Sequence, residues 1–198
     1  MSAKSSELAD HSTRMTAFCR ILGGAHGMDE LEVGLFCETA PLHDVGKLAI
    51  PTEILDQARA LTADEFEVVK LHTTIGAHML LGSRSRLCRT ASLIALTHHE
   101  RWDGTGYPYG LAGEAIPDFS RLVALVDQYD ALRSPRPYKP AFTHEESCSI
   151  LLVGDGRTLP EHFDPMVLRT FESVERDFAR VFDELEDAAL ADAYLGGV

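Results

Sequence analysis

The stretch PLHDVGK, residues 41–47, places a histidine and an aspartate side by side. An imidazole next to a carboxylate is a pair of metal ligands, and the two oxygens of a carboxylate can bridge two ions. Gly46 would allow a close approach of the backbone, and Lys47 offers a positive charge to a phosphate. A His-Asp dipeptide alone is common, so the meaning of His43 and Asp44 depends on the rest of the chain.

Signals for helices surround this stretch. Apolar residues recur at helical spacing over residues 7–22, and Gly23-Gly24 is expected to end that helix. Pro41 should kink or restart the second helix, and a further helix is expected over 86–98. Other helix starts are marked by residues that can cap an N-terminus, namely Asp29, Thr62, Asp118 or Ser120, Thr143 and Asp164. Strand alternation is absent, which predicts an all-α fold.

The pattern predicts one compact multi-helix domain over residues 1–198, with the motifs in 7–165 and a long C-terminal helix over 165–192. In the helix that starts at Thr62, we expect the apolar residues to point inward; these are Phe66, Val69, Met79 and Leu80. The last helix carries a seam of apolar residues, Val167, Phe171, Val174, Phe178, Val181 and Leu185. This seam could form a homodimer. Packing onto the chain's own body is the simpler interpretation.

Composition limits the classes of function. The net charge of −13 comes from 18 basic and 31 acidic residues, so the surface repels polymeric nucleic acid. No apolar run approaches the ~20 residues of a membrane span, and the N-terminus lacks a secretory signal. The four cysteines form no CxxC pair, which argues against a zinc ribbon and for reduced thiols; they are Cys19, Cys37, Cys88 and Cys148. We therefore expect a cytoplasmic protein without a membrane segment.

Other residues could complete a metal centre with His43 and Asp44. His98 and His99 are adjacent at a helix end and project about 100° apart, so they could serve different ions. His72 lies on an otherwise apolar helix face, where a hydrogen-bonded core histidine is the usual explanation. Asp127 ends the buried run LVALV, and a carboxylate there is costly unless a cation meets it. Asp130 could orient a ligand or cap the local structure.

Glu7 and His11 are four residues apart, so they share one face of the first helix. A solvated charge pair near the terminus is the competing interpretation. Arg101 and Arg133 could line a pocket, although surface salt bridges are the simpler role. The remaining histidines match no pattern and are expected to be surface or structural residues; they are His26, His78, His144 and His162.

Taken together, these segments resemble the HD-GYP subfamily of the HD phosphohydrolase superfamily. The resemblance is carried by PLHDVGK (41–47), HHERWDGTGYP (98–108), DQYDAL (127–132), RPYK (136–139) and FDP (163–165). It implies an HD-type helical fold with a metal cluster in its core. The implied ligands are His11, His43, Asp44, His72, His98, His99 and Asp127, with Glu7 for a third ion. The implied cofactors are two or three divalent metal ions, iron or manganese.

The resemblance also implies a function, the hydrolysis of cyclic di-GMP to pGpG or GMP by a hydroxide held between two metals. Asp44 would bridge the metals, and Lys47 would contact the scissile phosphate or the leaving group. Arg136 and Lys139 would contact the other substrate phosphates, while Tyr107 would shape the substrate side of the pocket. Family members often carry a receiver or sensor domain upstream, so the chain is expected to be a short member or part of a longer protein.

Two other functions stay open at this point. The chain could be a signalling module with little turnover that binds partner proteins through the loop Gly104–Pro108. It could also be an HD phosphohydrolase with another substrate, such as a dNTP, (p)ppGpp or cyclic GMP-AMP. The GYP loop and the RPYK run argue against a dNTP or (p)ppGpp, because the wider superfamily lacks them. A decayed ligand would favour the signalling module, and every matched position carries a competent one.

Overall fold

The structure is a computed structural model that describes residues 3–195 except 58, 83 and 136–139, with side chains described from 10 to 189. Within this part of the chain all regular elements are helices, which confirms the all-α prediction. The α-helices are α1 (Ala3–Ala25), α2 (Glu30–Thr39), α3 (Thr52–Leu55), α4 (Ala63–Leu80), α5 (Arg86–Thr97), α6 (Asp118–Arg133), α7 (His144–Leu152) and α8 (Pro165–Leu195). Short 3₁₀ helices cover Ala40–Leu42, Val45–Ala49, Gly113–Ala115 and Pro160–His162.

Three helices begin with the capping boxes that the sequence predicts. The caps are Asp29, Thr62 and Thr143, and each side chain accepts a hydrogen bond from the backbone N–H three residues later. Pro165 opens α8, where Asp164 accepts from the N–H of Met166 at 2.7 Å. As predicted, Pro41 restarts the chain, since α2 ends before it and a 3₁₀ helix follows. Local hydrogen bonding therefore fixes these boundaries.

The end of α1 was predicted wrongly. The helix passes through Gly23 and Gly24 and ends at Ala25. A Cβ on Gly23 would lie only 3.2 Å from the sulfur of Met28, so this glycine serves close packing. Gly27, with φ of +91°, takes the left-handed conformation that ends a helix.

Two further local predictions need correction. Neither Asp118 nor Ser120 caps α6, because the helix starts at Asp118 after Pro117, and the buried Ser120 hydroxyl bonds Thr97 at 2.7 Å. In α4, Phe66 and Met79 are 45% and 50% exposed. The buried positions of this helix are instead His72, Thr73, Gly76 and Ala77. These smaller or polar residues let α4 approach the segment that carries Asp44.

The core lies between α1, α6 and α8 and is built largely of aromatic rings. Phe18 stacks on Phe178 with ring centres 4.6 Å apart, and Tyr129 meets Phe178 edge-on at 5.2 Å. Phe171 and Val167 of the apolar seam are buried in the same cluster. Packing onto the chain's own body accounts for these seam residues, and dimerisation through α8 stays a prediction. None of the described helices has the length and apolar composition of a bilayer span.

Candidate metal centre

His43 follows the 3₁₀ helix Ala40–Leu42 and is fully buried. Its Nδ1 lies 2.8 Å from the carbonyl oxygen of Ala40. A carbonyl can only accept, so Nδ1 carries the hydrogen and Nε2 presents its lone pair. Nε2 points at two carboxylates, Oδ2 of Asp44 at 3.4 Å and Oδ1 of Asp127 at 3.5 Å. The His43 imidazole is thus held with the lone pair of Nε2 directed at two acidic groups, which is the orientation that a metal ligand needs.

The close packing of two glycines brings Asp44 against α4. A Cβ added to Gly46 would lie 2.0 Å from the carbonyl oxygen of His72 and 2.6 Å from the backbone nitrogen of Gly76. Both distances are far below any van der Waals contact, so only glycine fits here. The close approach that the sequence predicted for Gly46 is thus present, and it sets Asp44 Oδ1 3.3 Å from His72 Nε2.

Two more imidazoles are held in the same way as His43. Nδ1 of His72 bonds the carbonyl of Val69 at 2.6 Å, and Nδ1 of His98 lies 3.1 Å from the carbonyl of Ile94. Their Nε2 atoms therefore face inward and lie 3.4 Å apart. Asp44 Oδ1 is 3.8 Å from His98 Nε2, and with His99 these side chains offer ligand atoms within 4.8 Å of one another.

His11 joins the second half of the centre. Ligand atoms of His11, His43 and Asp127 also lie within 4.8 Å of one another. His11 Nδ1 donates to Oδ2 of Asp130 at 2.7 Å, and Arg14 holds both oxygens of Asp130 at 2.5 and 3.0 Å. Burial raises the pKa of Asp130, but the hydrogen bonds from His11 and Arg14 outweigh burial and lower it. Asp130 is therefore an ionised acceptor that orients His11, as the sequence suggested.

The residues fit bound divalent cations. Nε2 of His43 and Oδ1 of Asp44 are buried without a hydrogen-bond partner. Burial lowers the pKa of His43, yet the carboxylates of Asp44 and Asp127 raise it to about 10. A lone pair that faces two carboxylates demands a positive charge, which a cation supplies better than a proton. One cation would be held by His11, His43 and Asp127, and another by Asp44, His72, His98 and His99.

The other titratable groups agree with this assignment. Burial lowers the pKa of His99 to about 4 and that of His98 well below its usual value. Burial raises the pKa of Asp44 and Asp127, but the His43 imidazole outweighs it and holds both carboxyls ionised. His98 and His99 are thus neutral and both carboxyls are anions, which are the protonation states that metal ligands require. His43 carries a proton in the absence of a metal, and a bound cation would displace that proton.

A cavity of about 220 Å³ lies beside His98 and His99. Tyr107 stacks on His99 with ring centres 4.7 Å apart, and Glu100 holds this loop by accepting from the N–H groups of Tyr109 and Leu111. The lining also includes Phe66, Arg101, Gln128, Thr158 and His162. Arg101 lines the pocket, which is one of the two roles that the sequence left open for it, whereas the other four residues were not assigned to the pocket. Arg101 follows His99-Glu100, and Gln128 follows Asp127. Closeness in sequence to predicted metal ligands was the signal that could have indicated these two residues.

Some predicted residues cannot be placed. The side chain of Glu7 lies outside the described residues, and so do Arg136 and Lys139. Lys47 is described, with Nζ 2.5 Å from Asp44 Oδ2 and its side chain 43% exposed. Arg133 pairs with Asp183 at 2.7 Å, which agrees with a salt bridge. His26 bonds Thr170 and His78 is exposed, so both are surface or structural residues.

The fold is all-α, and its buried and half-buried histidines and aspartates converge on one centre, which is the arrangement of a helical metal-binding domain. The family model described as HD domain matches residues 1–167, and this chain belongs to that family. The assignment agrees with the HD motif at His43 and Asp44.

Several characterised proteins are similar to this chain. A cyclic di-GMP phosphodiesterase of Vibrio cholerae serotype O1 is 49% identical over 79% of this chain and 32% of its own length. The cyclic di-GMP phosphodiesterase response regulator RpfG of Xanthomonas campestris is 46% identical over 77% of this chain and 39% of its own. A 3′3′-cGAMP-specific phosphodiesterase of V. cholerae is 37% identical over 93% of this chain and 35% of its own. The chain thus spans about a third of the length of these relatives.

A solved structure supports the fold. The crystal structure of the cyclic GMP-AMP-specific phosphodiesterase V-cGAP3 of V. cholerae matches with a TM-score of 0.60 at 18% identity. The match covers 89% of this chain and 48% of the other. This likeness confirms the helical architecture.

Proposed function

We propose that this chain is a metal-dependent phosphodiesterase that hydrolyses cyclic di-GMP to pGpG or GMP. The observation that carries the proposal is the orientation of His43, His72 and His98, whose Nδ1 atoms bond backbone carbonyls and whose Nε2 atoms converge on Asp44. The similarity to cyclic di-GMP phosphodiesterases supplies the substrate class. Divalent cations, when bound, would polarise the phosphoryl oxygens and lower the pKa of water.

The chain's own residues would position the ions and the substrate. Asp44 directs its two oxygens to different halves of the centre, since Oδ1 faces His72 and Oδ2 faces His43. It is therefore the residue best placed to join the two cation sites. Asp130 keeps the hydrogen of His11 on Nδ1 and leaves Nε2 for a cation.

The positive side chains would bind the phosphates. Nζ of Lys47 rests against Asp44 and is open to solvent, so it can turn to a phosphate oxygen once cations neutralise Asp44. Arg101 lies in the lining of the adjacent cavity with Tyr107, and we add it to the proposed substrate contacts. Arg136 and Lys139 are proposed on the resemblance alone. These positively charged side chains would offset the negative electrostatic field of a chain with net charge −13.

Cyclic GMP-AMP is the second candidate substrate, and the 3′3′-cGAMP-specific relative of V. cholerae favours it.

We also propose iron or manganese as the metal and Glu7 as a ligand of a third ion. Partner proteins would bind the loop Gly104–Pro108. A cytoplasmic location fits the four cysteines, which are free thiols in the structure.

The test is anaerobic purification and metal analysis, followed by incubation with cyclic di-GMP or 3′3′-cyclic GMP-AMP and chromatography of the products. We expect pGpG or GMP from cyclic di-GMP, and loss of turnover on chelation. A protein loaded with iron or manganese that hydrolyses neither dinucleotide would overturn the enzyme proposal and favour a signalling module. Faster hydrolysis of cyclic GMP-AMP would reassign the substrate. Glu7→Ala should lower the metal content from three to two per chain if a third ion is bound.

A further inference from the structure

A second group of metal-binding side chains lies at the contact between α7 and α8. It consists of His144, Cys148 and Glu175, and we name it the Cys148 cluster. It shares no residue with the metal centre that contains Asp44, which we name the Asp44 centre. His144 and Cys148 are four residues apart and lie on one face of α7, while Glu175 comes from α8. Three different ligand types therefore meet between two helices.

The atoms of the Cys148 cluster are close enough to share one ion. Sγ of Cys148 lies 3.6 Å from Nε2 of His144 and 3.9 Å from Oε2 of Glu175. Nε2 of His144 also hydrogen-bonds Oε2 of Glu175. A cation that replaced the proton of this bond would need only a small separation of the two side chains.

Tyr129 supports His144 from the core. Its ring is fully buried, and its hydroxyl lies 3.0 Å from Nδ1 of His144. Without a cation, a hydrogen on Nε2 bonds Glu175 and Nδ1 accepts from Tyr129. With a cation on Nε2, the hydrogen would move to Nδ1, and the Tyr129 hydroxyl oxygen would accept a hydrogen bond from it. A partner on the second ring nitrogen that fixes the tautomer is the usual support of a metal-binding histidine.

We propose that His144, Cys148 and Glu175 form a binding site for a zinc-class divalent cation that links α7 to α8. Sulfur, imidazole and carboxylate together suit a borderline-soft ion, whereas magnesium and calcium prefer oxygen alone. Three protein ligands leave a fourth position for water. The proposal is independent of the proposed phosphodiesterase activity.

The surroundings favour a cation. A cavity of about 370 Å³ beside His144 is lined by Glu145, Asp183 and Glu186. Arg133 also lines it, but its guanidinium pairs with Asp183 at 2.7 Å. The remaining carboxylates make this a negatively charged approach, and such a field raises the local concentration of divalent ions.

A reactive cysteine explains the cluster less well. Burial, followed by the carboxylates of Glu175 and Glu145, raises the pKa of Cys148 to about 12. The thiol is then protonated at neutral pH, and a protonated thiol is a poor nucleophile and a poor redox sensor. A bound cation would deprotonate it directly.

Cobalt(II) binding at Cys148 can be measured separately from binding at the Asp44 centre. Thiolate coordination gives a near-ultraviolet charge-transfer band, and none of the ligands proposed for the Asp44 centre is a cysteine. The full chain is stripped of metal with a chelator and titrated with cobalt chloride. We expect the band in the wild type and in Asp44→Ala, a variant that lacks the carboxylate proposed to join the two cation sites of the Asp44 centre.

Variants of the cluster decide the assignment. Cys148→Ser should abolish the band, and Glu175→Gln should weaken the apparent cobalt affinity about tenfold. Cys88→Ser, which changes a half-buried cysteine on α5, is the matched control and should keep the band. The proposal would be overturned if the wild type showed no band after cobalt had saturated the Asp44 centre. Survival of the band in Cys148→Ser would do the same.

Discussion

The Asp44 centre and the Cys148 cluster both bring together metal-binding side chains from separate parts of the chain, but they differ in how these side chains are hydrogen-bonded without a cation. In the Asp44 centre, Nε2 of His43 faces two carboxylates and has no hydrogen-bond partner. In the Cys148 cluster, both nitrogens of His144 are hydrogen-bonded, to Tyr129 and to Glu175. The first arrangement requires a positive charge, whereas the second is complete with protons alone.

This difference predicts different affinities. A buried lone pair beside carboxylates is costly, so a cation at the Asp44 centre relieves a penalty that the fold already carries. At the Cys148 cluster a cation must displace protons from satisfied groups, including a thiol with a high pKa. We therefore expect permanent occupancy at the first site and occupancy that depends on pH and metal concentration at the second.

The largest effect is expected from Asp44→Ala. The substitution removes the carboxylate that faces both halves of the centre, so turnover should fall by at least about 10³-fold, with loss of bound metal. Asp177→Ala is the control, because Asp177 is an exposed aspartate of α8 that pairs with Arg180. Metal analysis and the dinucleotide assay measure the outcome. Retained metal and turnover in Asp44→Ala would remove the basis for the centre.

Gly46→Ala should damage the same centre through packing. The new Cβ would meet the backbone of His72 at 2.0 Å, so the segment must move away from α4. We expect the free energy of unfolding to fall by roughly 1–3 kcal/mol and the metal content to fall with it. Gly34→Ala in α2, whose Cβ would meet nothing within 4 Å, should be neutral or slightly stabilising. Equal denaturation curves for the two variants would contradict the packing argument.

Asp130→Asn tests the support of His11. Loss of the charged acceptor should weaken metal affinity about 10- to 100-fold. The pKa of Asp130 is lowered in the folded protein, so its stabilising effect is present above the unfolded value of about 3.9 and is lost as pH falls below it. In chelator, the stability difference between wild type and variant should thus shrink below about pH 4. A difference that grows on acidification would contradict this assignment.

Tyr129→Phe should have the smallest effect and should act on the Cys148 cluster only. The ring is kept in the aromatic core, but Nδ1 of His144 loses its partner, which costs about 1 kcal/mol of stability. Cobalt affinity at Cys148 should fall while turnover at the Asp44 centre stays unchanged. Tyr109→Phe, on an exposed ring, is the control. A spectral titration of both variants gives the comparison.

The Cys148 cluster also shows what sequence reasoning overlooked. The sequence analysis predicted a surface or structural role for His144. Cys148 follows His144 by four residues, a spacing that places both on one helix face. Glu175 could not be found in this way, since only the packing of α8 against α7 brings it near.

The sequence by itself determined the helical class, most helix starts and the residue types of the candidate metal centre, because capping and apolar spacing act within a few residues and the HD-GYP motifs are specific. The capping boxes at Asp29, Thr62 and Thr143 formed as predicted. Only the tertiary structure decided which face of α4 is buried, since the contact of Gly46 with His72 overrides the apolar pattern of Phe66 and Met79. It also decided which ring nitrogen each histidine presents, because that depends on carbonyls and carboxylates that folding brings into reach.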